Sequence, residues 1–275
     1  MKEHDYFGYN SGKGIIPEED FRISPSQVSR YFSETTNWFR EFLLGEEGFV
    51  GNTASNLGNC VHAGAEMYVR EGVVHHNLIT DFITNLPEDI DKQRILTNYP
   101  IMLDTLISEY LRYNVPSQTE LFLTHKLVEG VWVAGSVDAI RGSRIVDYKT
   151  TSALTAPTKI SRPYWFQQCL YVWLARKNGY SIDSFSLVFI TAPQVGRISE
   201  KTGKPLKDYP SKVTVLTHLV TDLDMEIIDN TVKLIAGSVN VWKSNPELHY
   251  ILAQDYRLKL PDKPVKFIRR AKCKD

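Results

Sequence analysis

The chain has 275 residues, 43% of them hydrophobic and 23% charged, and its 32 basic and 32 acidic side chains give a formal net charge of zero. That composition supplies a sizeable core and excludes an intrinsically disordered chain. No apolar run approaches the roughly 20 residues of a membrane-spanning helix, so no membrane partner is expected, and any surface for a polyanion must be a local patch.

Residues 1–20 read as an irregular leader. Its opening, MKEHDYFGYNSGKG, has no apolar h-region, and the five acids against two lysines in residues 1–20 argue against a transit peptide. Three widely spaced cysteines, Cys60, Cys169 and Cys273, make neither a disulfide framework nor a CxxC knuckle, so a reducing, cytoplasmic setting is the expectation. Ser24 as N-cap and Pro25 at the first helical position predict a helix to Gly45, with a break at SETTN. A second helix, rich in small residues, is predicted over 55–70. Residues 75–97 are ambiguous, and a further helix is predicted from about Pro100 to Asn114.

The periodicity then changes from helical to alternating. ELFLTHKLVEG, VWVAGSVDAI and RIVDYKT read as strands, with RGS as a turn between the last two. A helix is predicted over 163–178, closed by Gly179. SFSLVFIT and VTVLTHLV are strands separated by a long loop or extended hairpin, and Thr221 with Asp224 starts a last helix to about Lys243. From Arg257 to Asp275 eight Lys or Arg residues stand against two Asp, which reads either as a phosphate-contacting tail or as a solvated one. The order of elements predicts an α/β fold with a central mixed β-sheet flanked by helices.

Chemistry concentrates in residues 130–150, GVWVAGSVDAIRGSRIVDYKT. With Gly142 and Ser143 as a two-residue loop, Ile140 faces Ile145 and Asp138 faces Asp147. Facing carboxylates repel, and a divalent cation between them reverses the sign. Strand alternation places Lys149 on the side of Asp147. Hard oxygen ligands suit Mg²⁺, with Mn²⁺ able to substitute, and such a metal activates water against a phosphodiester. Lys149 is best suited to orientation and electrostatics, because acting as a base needs a lowered pKa. A solvated hairpin with ordinary charges is the alternative.

Several other residues are candidates beside the hairpin. His62 can give an imidazole ligand, or simply pack in its helix. Glu66, four residues on, can share that face as an accessory acid. Glu120 opens the strand before the hairpin and can bind metal or organise the site, or equally be an ordinary helix-to-strand junction acid. Gln167 and Tyr171 share a helix face suited to phosphate or base contacts, though taken alone they read more readily as partly buried packing polars, and Gln168 is expected to point elsewhere. Thr150 and Ser152 can donate to phosphate or cap a turn.

Together these residues resemble the PD-(D/E)XK nuclease superfamily, with the closest likeness to its RecB-like branch, which includes phage and mitochondrial exonucleases. The resemblance runs over most of residues 22–192: Gly58 and His62 in LGNCVH, Asp138 in GSVD, Asp147 and Lys149 in DYK, Gln167 and Tyr171 in QQCLY. It implies a restriction-endonuclease-like core in a single domain, 21–255, followed by the basic tail 256–275. It implies Asp138, Asp147, His62 and the Tyr148 carbonyl as metal ligands and Lys149 as the catalytic lysine. Gln167 and Tyr171 would support the site and contact DNA. The proline of the family's name is absent, Val137 standing before Asp138. Three cysteines fall short of a four-thiolate iron–sulfur cluster, and no Walker A sequence provides for ATP.

The implied activity is a Mg²⁺-dependent DNA exonuclease on linear DNA with free ends. Phage encoding would place it in the host cytoplasm, serving recombination or DNA degradation beside a recombination or single-strand-binding protein. Rival readings are a structure-selective or nicking endonuclease on the same fold and a catalytically inactive nucleic-acid-binding protein. A serine hydrolase has no support, because GxSxG is absent.

Overall fold

The computed structural model describes residues 5–7, 14–42, 44–45, 51–199 and 201–245. The basic tail expected over 256–275, and Cys273, lie outside the described residues.

A six-stranded mixed sheet organises the fold. Its strands are β1 (Phe21–Ile23), β2 (Gln118–Val128), β3 (Val131–Arg141), β4 (Arg144–Thr151), β5 (Ser184–Thr191) and β6 (Val213–Leu219), in the order β1-β3-β4-β5-β6, with β2 also paired to β3. β1 and β4 run parallel to β3 and β5 respectively, and the other pairings are antiparallel. β5 is buried along its whole length, as a central strand covered on both faces must be.

Helices cover both faces. On one side lie α1 (Val28–Ser33), α2 (Thr35–Phe42), α6 (Arg162–Lys177) and α7 (Asp222–Ser244), packed through Trp38, Phe39, Leu170, Phe185 and Ile235. On the other lie α3 (Thr53–Glu71), α4 (His76–Thr84) and α5 (Lys92–Glu109), packed through Val61, Met67, Ile83, Leu103 and Ile190. α3 starts on a reciprocal cap: the Asn52 side chain accepts the Ser55 N–H at 2.9 Å, and Ser55 Oγ accepts the Asn52 N–H at 2.7 Å. The fold is thus α/β with a central mixed sheet flanked by helices, as expected.

Helix boundaries differ from expectation at several points. The first helix begins at Val28 and not at Pro25, because residues 24–27 close a turn: the Gln27 N–H donates to the Ser24 carbonyl at 3.0 Å and the Gln27 side chain accepts the Ser24 N–H. The expected break at SETTN falls at Glu34. Pro100 does not start a helix but lies inside α5, which starts eight residues earlier at Lys92 and is capped by Asp91, whose carboxylate accepts the Arg94 N–H at 2.9 Å. An interior proline forfeits one helical hydrogen bond, and burial of Tyr99, Met102, Leu103 and Leu106 around it offsets that cost. The segment 75–97 resolves into α4 and the first turns of α5, while α5 ends at Glu109 and a short 3₁₀ turn covers Leu111–Tyr113. The long segment 192–212 is only loosely paired, by bridges Gln194–Tyr209 and Ile198–Pro205.

Candidate active site

The β3–β4 hairpin turns at Gly142, whose φ of 59° lies in the left-handed region that a two-residue turn needs. Pairing runs Arg141–Arg144, Ile140–Ile145 and Ala139–Val146, the predicted register, and stops there. The next pair would be Asp138 and Asp147. β2 holds one edge of β3 along nearly its whole length, so β1 and β4 share the other, at Val131–Val133 and at Ala139–Arg141. Among the described residues, 134–138 between them have no strand partner on that edge. The acids therefore sit where the sheet splits.

Each acid has a different anchorage. Asp138 Oδ2 accepts the Tyr148 N–H at 2.9 Å, so a side chain replaces the missing ladder bond. Asp147 is buried, at 3% exposure, and receives two donors from its own side of the sheet. Lys149 Nζ lies 3.0 Å from its Oδ1 and 2.8 Å from its Oδ2, and Gln168 Nε2 donates to Oδ1 at 2.8 Å. Burial alone would lower the Lys149 pKa, but Asp147 and Asp138 outweigh it and raise the pKa above the ordinary lysine value. These carboxylates favour the ammonium form of Lys149, which suits it to holding charge.

From the opposite face α3 brings His62. Its Nε2 donates to the Tyr148 carbonyl at 2.8 Å, because a carbonyl can only accept, and its Nδ1 lies 3.4 Å from Asp138 Oδ2. α3 comes this close because Gly58 packs on β4: a Cβ there would lie 3.2 Å from Thr150 Oγ1. Glu66 is buried one turn on and is held by Arg70 Nε at 2.6 Å, while Arg70 Nη2 donates to the Thr119 carbonyl at 3.2 Å. That chain ties α3 to β2 next to Glu120.

Glu120 is the residue the structure promotes. It has a φ of 48°, and regular pairing skips it, running from Thr119–Ala139 to Leu121–Val137. A left-handed non-glycine residue costs about 1–2 kcal/mol, so this backbone is held by its surroundings. The kink puts Glu120 beside Asp138, and one ligand atom each of His62, Glu120 and Asp138 lies within 4.8 Å of the others. Burial, then Asp138 and Glu66, push the Glu120 carboxyl up to about 9. Burial likewise raises Asp138, with His62 opposing and Asp147 adding to the rise. Oxygens crowded so that each disfavours ionisation of the next, with one imidazole among them, form a donor set that fits a hard divalent cation. Asp147 is outside that trio, its oxygens being engaged by Lys149 and Gln168.

The helix side of the site differs from expectation. Gln168, expected to point elsewhere, is fully buried on Asp147. Gln167 is half-buried and neighbours the Tyr171 phenol. Burial, then the carboxylates of Asp138 and Asp147, push the Tyr171 phenol well above its usual range, which places it beside the acids. The face of α6 turned to the site runs Tyr164, Gln168, Tyr171, a spacing of four and three. Tyr164 carries Lys149 Nζ 5.5 Å from its ring centroid. Gly135 gives Tyr171 its room, since a Cβ there would lie 2.8 Å from Pro25 Cδ and 3.1 Å from Tyr171 Cε1. That spacing, counted back from Tyr171, is the sequence signal that points to Gln168. Ser152 lies beyond the acids, exposed on a cavity of about 380 Å³ lined also by Arg94, Asn98, Gln194 and Arg197.

A sequence model of the PD-(D/E)XK nuclease superfamily matches residues 22–234, from β1 into α7. The chain belongs to the PD-(D/E)XK nuclease superfamily. No curated protein matches it. Similar solved structures include a candidate exonuclease from Eubacterium rectale, 16% identical with a TM-score of 0.54, covering 89% of this chain and 88% of that one. A phage-related exonuclease from Haemophilus somnus 129PT is 11% identical with a TM-score of 0.48, covering 82% and 96%. An alkaline exonuclease from Laribacter hongkongensis is 10% identical with a TM-score of 0.39, covering 90% and 97%. At these identities the first likeness concerns the fold. At the split in the hairpin, His62, Glu120 and Asp138 form a group that could hold a metal ion. Among the described residues no helix is long and apolar enough to cross a membrane.

Proposed function

We propose that this chain is a Mg²⁺-dependent DNA exonuclease of the RecB-like branch, hydrolysing linear DNA from free ends without ATP. The observation that carries the reading is the split at Asp138 and Asp147, where Glu120 and His62 meet one carboxylate while Lys149 and Gln168 fix the other. Residues 21–255 act as the nuclease domain, with 1–20 and the basic tail outside it. The branch assignment rests on the motif order from His62 through Asp138, Asp147 and Lys149 to Tyr171. Phage encoding, a role in recombination or DNA degradation, and a single-strand-binding partner in a cytoplasm follow from that branch.

His62, Glu120, Asp138 and Asp147, with the Tyr148 carbonyl, would hold Mg²⁺, and Mn²⁺ would substitute. The bound cation supplies Lewis-acid activation of water and neutralises charge growing on the scissile phosphate. Lys149 keeps its ammonium beside Asp147 and is placed to hold the attacking water and a phosphate oxygen by hydrogen bonds. Gln168 positions Asp147, because an amide donor on Oδ1 restricts the carboxylate's rotation. Tyr171, with Gln167 beside it, would contact the substrate, and Ser152 with Arg94 and Arg197 would offer donors for a flanking phosphate.

Digestion of linear and covalently closed circular DNA, labelled at either end, with and without Mg²⁺, tests the reading. Release of mononucleotides or short products from linear DNA alone, only with Mg²⁺, is the expected result. Cleavage of closed circles would instead establish an endonuclease, and DNA binding without hydrolysis a binding protein.

A further inference from the structure

α6 has a second chemical face. Cys169 follows Gln168 in the chain, points away from the nuclease site and is fully buried. One ligand atom each of Cys169, His218 and Asp224 lies within 4.8 Å of the others, and the three residues come from α6, β6 and α7. His218 Nε2 is 3.0 Å from Asp224 Oδ2, and the imidazole is backed by the Phe185 ring at a centroid distance of 5.2 Å. The same Asp224 oxygen accepts the Thr221 N–H of the α7 cap at 2.8 Å, which leaves Oδ1 as the second carboxylate oxygen.

We propose that Cys169, His218 and Asp224 form a second divalent-cation site, of Zn²⁺ type, that clamps α6 to β6 and α7. One sulfur, one imidazole nitrogen and one carboxylate oxygen make a borderline-soft donor set, which selects Zn²⁺ over Mg²⁺. Three protein ligands leave the fourth tetrahedral position to water, and His218, with 32% of its side chain exposed, opens the site to solvent. A thiolate and a carboxylate neutralise the dication. On binding, the Cys169 S–H bond breaks, the sulfur–metal bond forms and the proton leaves to solvent. Burial pushes the free Cys169 thiol up to about 12, so without metal it stays protonated and unreactive. The opposing charge facing this cysteine is Arg176, whose Nε is committed to the Ile182 carbonyl at 2.7 Å. The clamp does not depend on the nuclease reading, yet it would stiffen the helix that carries Gln168 and Tyr171.

The test is a Co²⁺ and Zn²⁺ titration of the full chain after removal of metals by a chelator, in an Asp138→Asn background that weakens the acidic site. One equivalent of Co²⁺ is expected to give a thiolate-to-cobalt charge-transfer band with tetrahedral d–d absorption. Cys169→Ser should lose the charge-transfer band, and His218→Gln should weaken binding tenfold or more. Zn²⁺ at a hundredfold excess over its Kd should raise Tm by about 5–10 °C. His218 is partly exposed, so His218→Gln keeps the test readable if Cys169→Ser does not fold. Co²⁺ binding without a thiolate band, or a Zn²⁺ shift in Tm unchanged by His218→Gln, overturns the proposal.

Discussion

The two ends of the β3–β4 hairpin carry the same chain chemistry to opposite ends. At the turn, Ala139–Val146, Ile140–Ile145 and Arg141–Arg144 pair regularly, and Ile145 is wholly buried in the core. One residue further on the ladder stops, Asp138 takes a backbone N–H into its own carboxylate, and Glu120 opposite adopts a left-handed backbone. The closed end gains stability from burial. The open end gives up strand pairing and gathers charged groups that resist one another. The proposed function places the metal at the open end, because a ladder satisfied by backbone leaves no room for a ligand.

Substitutions at the two ends should separate these roles. The largest effect belongs to the open end: Asp138→Asn or Lys149→Ala should lower turnover about a thousandfold or more, the scale for groups acting as a unit in hydrolysis. Melting curves should show little loss for Asp138→Asn, whose amide oxygen can still accept the Tyr148 N–H. At the closed end Ile145→Ala should do the reverse. It should cost about 2–5 kcal/mol of stability, read by denaturant unfolding, with near-normal turnover at low temperature. An intermediate effect is expected for Gln168→Ala, which frees Asp147 and should reduce turnover about 10- to 100-fold, while Gln167→Ala should do less in the same assay. Equal losses for the two would return the positioning role to Gln167. The smallest effect is at the turn, where Gly142→Ala places a Cβ in the left-handed region and should cost about 1–2 kcal/mol in the same unfolding assay, without a change in turnover.

Much of this contrast is legible in the sequence. Strand alternation and a two-residue Gly142–Ser143 loop are enough to set the hairpin register, and hence to bring Asp138 opposite Asp147. Where the ladder stops is not legible, since it depends on β1 taking the far part of the same edge, and β1 is only three residues long. Glu120 reads as an ordinary strand-opening acid because no residue type encodes a kink that neighbours impose. Gln168 is missed for a different reason: two adjacent glutamines fit the helix, and only the phase set by Tyr164 and Tyr171 selects between them. Pro100 misleads because the general preference of proline for helix starts yields here to the burial of the residues around it.

The central claim is that the open end of the hairpin is a metal-dependent hydrolytic centre. Mg²⁺-dependent release of nucleotides from end-labelled linear DNA, compared between the native protein and Asp147→Asn, tests it most directly. The account predicts hydrolysis by the native protein and almost none by Asp147→Asn, with both folded. Undiminished hydrolysis by Asp147→Asn would contradict it.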